Sequence, residues 1–181
     1  RKYGVLPEKI VKLGSNENPY GPSPLVAEAL RTVSPERYPE PEEFVEALSR
    51  YTGFPAENII IGSGMDGVMD TLTRIFLNPG DRTWIPTPTF SYYEILTHLS
   101  AAVPMFSDRG KNFELGQEVP RGTKMAFICS PNNPTGNTTP EEDIRQIAGS
   151  TEGIVFLDEA YIDFAERSMA GLVREHENLV V

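Results

Sequence analysis

The chain has 181 residues, 39% of them hydrophobic, with 26 acidic against 16 basic side chains and a formal charge of −10; a length of this order buries roughly 70% of its extended surface. The acidic balance argues against a nucleic-acid partner, and two distant histidines (His98, His176) with one cysteine (Cys129) make neither a disulfide nor a structural zinc site. No apolar run approaches the ~20 residues that span a bilayer, and Arg1-Lys2-Tyr3-Gly4 leads into no signal-peptide core, so a soluble, cytoplasmic protein without a membrane partner is expected.

Residues 1–22 carry little periodicity and end in the turn-rich Asn16-Glu17-Asn18-Pro19-Tyr20-Gly21-Pro22, which reads as an arm. Ser23-Pro24 supplies an N-cap and a proline at the first helical position, predicting a helix through about Val33. Between Glu42 and Tyr51, Phe44, Val45, Leu48 and Tyr51 share one face of a second helix, ended by Gly53. The pattern then alternates. Asn58 to Ile61 reads as a strand, and Gly62-Ser63-Gly64 turns into a helix carrying Val68, Met69, Leu72, Ile75 and Phe76. Thr83 to Ile85, Val103 to Phe106, Lys124 to Cys129, Gly153 to Leu157 and Asn178 to Val181 are further strands. Helices fall at Tyr92 to Leu99 and after Pro140. Unbroken apolar strands alternating with helices indicate an α/β fold, a mostly parallel sheet covered on both faces. Ligands of such sheets sit beyond the carboxyl ends of the strands.

The residues after each strand are therefore the informative ones. Gly62-Ser63-Gly64-Met65-Asp66-Gly67 fits G-x-G-x-x-G, but the dinucleotide reading needs an acid at the end of the next strand. That strand ends in Pro86-Thr87-Pro88, and Asp81 lies before it. A single phosphate held by backbone N–H groups at a helix start and a plain tight turn both remain open. Ser63 has no evident base, so acyl transfer is not expected. Phe90 opens the helix after the Pro86–Pro88 segment, as core or as an aromatic platform. Ser130-Pro131-Asn132-Asn133-Pro134-Thr135-Gly136 is turn chemistry that also lets Asn133 aim an amide. Cys129 reads as a small buried hydrophobe. Asp158, at the exit of an apolar strand, is either a local cap or a carboxylate awaiting a cation. Phosphate turn, aromatic face, amide, carboxylate and the Tyr161 phenol together fit a flat, phosphorylated, protonated heteroaromatic ring, pyridoxal 5′-phosphate.

The stretch from Leu13 to Pro24 resembles the N-terminal signature of histidinol-phosphate aminotransferases, within the fold-type I pyridoxal-phosphate aminotransferases. So do Arg37-Tyr38-Pro39, the Gly62 turn, the Pro88 segment, the loop from Asn132 to Gly136 and Asp158-Glu159-Ala160-Tyr161, in that order. The resemblance implies a cofactor site in which Asp158 pairs with the ring N–H, Asn133 and Tyr161 reach the ring's phenolate oxygen, and Phe90 stacks on the ring. Gly64, Met65 and Asp66 would hold the phosphate. Tyr38 would reach the phosphate of the other subunit's cofactor, so a homodimer is implied. Asn16, Glu17, Asn18 and Tyr20 would fold over the substrate, histidinol phosphate.

Gly67 stands where the family commonly has glutamate. The Schiff-base lysine is implied to lie beyond Val181, because Lys2, Lys9, Lys12, Lys111 and Lys124 lack its sequence context; no catalytic residue is expected within the chain, and the isolated chain is expected to be inactive. The resemblance also implies an arm and first helix over 1–36, and the N-terminal part of the cofactor-binding large domain over 37–181. An aromatic aminotransferase or threonine-phosphate decarboxylase of the same fold, and a dinucleotide-binding oxidoreductase half, are the alternatives.

Overall fold

Strands buried on both faces need helices above and below them, and the computed structural model has this layering. It describes residues 4, 6, 9–34, 36–116 and 118–181, divided into two compact units, Arg1–Ala56 and Glu57–Val181. Arg1, Lys2 and Tyr3 lie outside the described residues, as do the other undescribed positions of the arm.

In the first unit, Ser23 caps helix α1 (Pro24–Ala29), its hydroxyl accepting from the Leu25 N–H at 3.3 Å. The helix stops four residues short of the expected Val33. Its chain tightens into three-residue steps, Arg31 N–H to Glu28 C=O and Thr32 N–H to Ala29 C=O, both at 3.0 Å, and α1 buries no side chain to hold a longer helix. Helix α2 (Pro41–Thr52) again has proline at the start, with Glu42 and Glu43 complementing the dipole of its first turn. Of its expected apolar face, Val45 and Leu48 are half-buried while Phe44 and Tyr51 remain exposed.

The second unit runs α3 (Gly64–Phe76), β1 (Arg82–Thr87), α4 (Tyr92–Leu99), β2 (Val103–Asp108), β3 (Thr123–Cys129), α5 (Glu141–Ser150), β4 (Ile154–Asp158) and β5 (Leu179–Val180). The five strands form one all-parallel sheet in the order β2-β1-β3-β4-β5. Alternation along each strand feeds two cores. Trp84, Ala126, Ile128, Val155 and Leu157 pack with Ile144, Ile147 and Ala148 of α5. Ile85, Met125, Phe127, Cys129 and Phe156 pack with Met69 and Leu72 of α3 and Tyr93 and Leu96 of α4. Nearly every β3 residue is buried, which is why its sequence is a continuous apolar run.

The expected strand at Asn58–Ile61 is not formed. A 3-10 turn occupies Ala56–Asn58 and the following residues belong to no strand. A strand exists only where a neighbour takes its N–H and C=O groups, and no strand of the described sheet flanks this segment. Ile60 accordingly stays more than half exposed.

Gly153 shows how tightly the sheet's lower edge is built. It is buried, and a Cβ there would lie 2.3 Å from the Lys124 carbonyl oxygen. Gly153→Ala is expected to destabilise the protein by about 1–3 kcal/mol, the usual penalty for overpacking. The result would be a lower urea midpoint with an unchanged slope.

Candidate active site

The register of β3 against β4 sets Cys129 beside Asp158 at the carboxyl ends of both strands. Around them a hollow of about 60 Å³ is lined by Met65, Phe90, Cys129, Asn133, Asp158, Ala160 and Tyr161. Five residues expected from sequence (Met65, Phe90, Asn133, Asp158 and Tyr161) thus meet in one place, from four separate segments of the chain. This is where a parallel sheet is expected to hold its ligand.

Asp158 is 2% exposed. The Ala160 N–H donates to its Oδ1 at 2.9 Å, and the Tyr93 hydroxyl donates to its Oδ2. The local cap anticipated for this residue is therefore present, but it accounts for one oxygen only. Burial pushes the carboxyl above the usual carboxylate range, the two donors oppose that shift, and the charge of Asp66 adds to it. No ion pair to Asp158 exists among the described residues. A buried carboxylate without a cation is costly. A cationic group placed in the hollow would offset that cost.

Phe90 is half-buried, its ring edge-on to Tyr93 with centroids 5.6 Å apart and planes at 88°. Asn132 is the structural member of the Asn132-Asn133 pair: it is 2% exposed, its Nδ2 donates to the Pro88 carbonyl at 3.1 Å and to Thr135 Oγ1 at 2.7 Å, and its Oδ1 accepts from Thr89 Oγ1 at 2.9 Å. These bonds tie the loop after β1 to the loop after β3, which brings Phe90 and Asn133 to the same hollow. Tyr161 lies in the turn after Asp158, its ring 6.4 Å from that of Phe164.

Helix α3 begins at Gly64 with φ +64°, a left-handed conformation that a side chain would strain. The Gly64 N–H bonds the Gly62 carbonyl at 2.8 Å. Met65 and Asp66 follow in the first helical turn, where N–H groups lack intrahelical partners. Asp66 is exposed. Asp81 accepts from the Asn78 N–H at 2.7 Å in the turn before β1. It sits at the amino end of that strand, where no dinucleotide ribose would be held.

Tyr38 and the arm residues belong to the first unit. Tyr38, between α1 and α2, is 98% exposed there. Asn16, Glu17, Asn18 and Tyr20 are also exposed. Asn18 shapes their turn, accepting from the Tyr20 N–H at 3.0 Å and donating to the Gly21 carbonyl at 2.9 Å.

Sequence reading missed Tyr93 and Arg109. Tyr93 is fully buried, stacked on Phe127 with centroids 4.9 Å apart and planes at 9°. Burial drives its hydroxyl far above the usual phenol range, so it is a permanent donor. The available signal was its phase with Leu96 on one helix face, since a buried phenol must find a partner. Arg109, following β2, is 7% exposed, and burial holds its guanidinium below its usual range. Its Nη1 donates to the Phe113 carbonyl at 3.3 Å, whereas Nε and Nη2 have no hydrogen-bond partner among the described residues. Nothing in Asp108-Arg109-Gly110 distinguishes it from an exposed turn. Cys129 is buried as expected, and its thiol, which burial raises, donates to the Pro131 carbonyl at 3.3 Å.

The chain is 49% identical over 189 residues to the histidinol-phosphate aminotransferase of Methanosarcina mazei, a match covering 99% of this chain and 51% of that protein. It spans about half the length of the curated relatives it matches. Among solved structures it superposes on histidinol-phosphate aminotransferase from Sinorhizobium meliloti in complex with pyridoxal-5′-phosphate, with TM-score 0.77 and 24% identity over 83% of this chain and 44% of that one. It also superposes on L-threonine-O-3-phosphate decarboxylase from Porphyromonas gingivalis, with TM-score 0.72 and 20% identity over 85% and 49% of the two chains. These structural likenesses share the fold of parallel sheet and flanking helices. The model of aminotransferase class I and II matches residues 8–181, and the chain belongs to that family.

Proposed function

We propose that the protein containing this chain binds pyridoxal 5′-phosphate and transaminates histidinol phosphate, as a cytoplasmic homodimeric enzyme of histidine biosynthesis. The observation that carries the reading is Asp158, a buried carboxylate at a strand end that lines a hollow and has no ion pair among the described residues. The residues present fit the cofactor. Asp158 would hold the ring N–H, Phe90 would cover one face of the ring, and Asn133 and Tyr161 would donate to its phenolate oxygen. The turn at Gly64, Met65 and Asp66 would hold the phosphate through backbone N–H groups. Bound there, the cofactor supplies an electron sink for the bonds at the substrate's amino-bearing carbon.

The chain's own residues have separable tasks. Asp158 keeps a proton on the group it holds, because an ionised partner in a desolvated site favours the cation. Phe90 excludes water from one side of the hollow, and Asn132 fixes the two loops that aim Phe90 and Asn133. Tyr38 would complete the phosphate site of a second subunit, and Asn16, Glu17, Asn18 and Tyr20 would cover the substrate. The division into an arm and first helix over 1–36 and part of a large domain over 37–181 belongs to the same reading.

The full-length protein, reconstituted with pyridoxal phosphate, tests it. Histidinol phosphate is expected to be consumed with transfer of its amino group to an added 2-oxo acid. Release of carbon dioxide from threonine phosphate instead would assign the second reading, which the likeness to the decarboxylase fold brings forward. No cofactor binding would exclude both.

A further inference from the structure

The Tyr93 hydroxyl is placed with more constraint than a core phenol requires. Its ring lies flat on Phe127 and is met edge-on by Phe90, so neither translation nor tilt is free. Thr97, one turn on, donates to the Tyr93 carbonyl at 2.8 Å and shares a hydrogen bond with Thr83 of β1 at 2.9 Å. That anchors α4 to the sheet directly beneath the tyrosine. The hydroxyl so held donates to Asp158 Oδ2 while the Ala160 N–H takes Oδ1. Each carboxylate oxygen has one donor and keeps one lone pair, and the carboxylate plane is fixed.

We propose that Tyr93 is the positioning residue for Asp158, holding the carboxylate ionised and turned to the hollow so that it can receive a ring N–H. The proposal rests on the cofactor reading above and deepens it. Burial disfavours the carboxylate, and the Tyr93 hydroxyl is one of two donors that oppose this. The other ionisable groups around the pair are few. Asp66 of α3 acts against the ionised form, Cys129 of β3 is a neutral thiol, and Arg109 after β2 acts on Tyr93 and Cys129 from the β2 side. Tyr161 lines the hollow beyond them. Without the Tyr93 hydroxyl, desolvation prevails and Asp158 takes up a proton at a pH where the native site is charged. A cationic ring must then displace that proton, so the defect grows as pH falls.

The test uses full-length protein freed of cofactor and pyridoxamine 5′-phosphate as the probe, since this form binds without a covalent bond to the protein. Dissociation constants are measured at pH 6 and pH 8 for wild type, Tyr93→Phe, Asp158→Asn and the double variant. Relative to wild type, Tyr93→Phe is expected to weaken binding about tenfold at pH 6, the size of one hydrogen bond to a charged group. At pH 8 the loss should shrink to about twofold. In the Asp158→Asn background the same substitution should change binding by less than about twofold at either pH, because residues acting as a unit are not additive. An equal loss in both backgrounds, or a loss independent of pH, would reduce Tyr93 to a packing residue and overturn the proposal. A wild-type protein that binds no pyridoxamine phosphate would overturn the cofactor reading and the proposal together.

Discussion

Asp158→Asn in the full-length protein is expected to lower kcat by about 10²–10³-fold, as removal of one preorganised electrostatic partner does elsewhere. The asparagine amide has nearly the same shape, so the packing around β4 should survive. Its oxygen can still accept from Ala160 N–H or the Tyr93 hydroxyl. What would be lost, on the proposed reading, is the negative charge that keeps a proton on the ring nitrogen, and with it the electron sink. Cofactor affinity should fall far less, by about tenfold, because the phosphate turn proposed at Gly64 and the ring contact proposed for Phe90 would not depend on that charge. Absorbance titration for the cofactor and steady-state turnover separate the two quantities. Turnover within about threefold of wild type would remove Asp158 from the role assigned to it.

Phe127→Ala should be the most destabilising single change around the site, at about 3–5 kcal/mol. Phe127 is 1% exposed in the middle of β3, stacked on Tyr93 and edge-on to Phe156 at 6.1 Å. Truncation leaves a cavity under Tyr93 that the flanking strands cannot close, since Met125 and Cys129 on the same strand are themselves buried. The urea midpoint should drop accordingly, and Tyr93 should lose the surface that orients its hydroxyl. A loss below about 1 kcal/mol would mean that the core between sheet and α4 refills.

Alternation of apolar runs with amphipathic segments was enough to read α3, α4, α5 and all five strands from sequence, most clearly for β3 and β4, whose burial on both faces gives continuous apolar runs. The helix at Tyr92–Leu99 agrees end to end for the same reason: its buried stripe, Tyr93, Leu96 and Thr97, has a helical period. The residues after the strands placed Phe90, Asn133, Asp158 and Tyr161 at one site, since the end of a parallel strand has a fixed direction whatever its neighbours, and Met65 joins them from the first turn of α3, which no strand precedes. Strand existence was less legible where it depended on a partner. Asn58–Ile61 has the composition of a strand, yet composition does not supply the neighbouring hydrogen-bond ladder. Side-chain partnership across the fold was not legible at all. Tyr93 and Asp158 are 65 positions apart, and only the packing of α4 on the sheet makes them donor and acceptor. Arg109 looks in sequence like any charged turn residue, yet it is 7% exposed and donates to the Phe113 carbonyl. Local patterns report what each segment buries. Which buried polar groups then meet is decided by packing, where desolvation makes every missing or added partner cost energy.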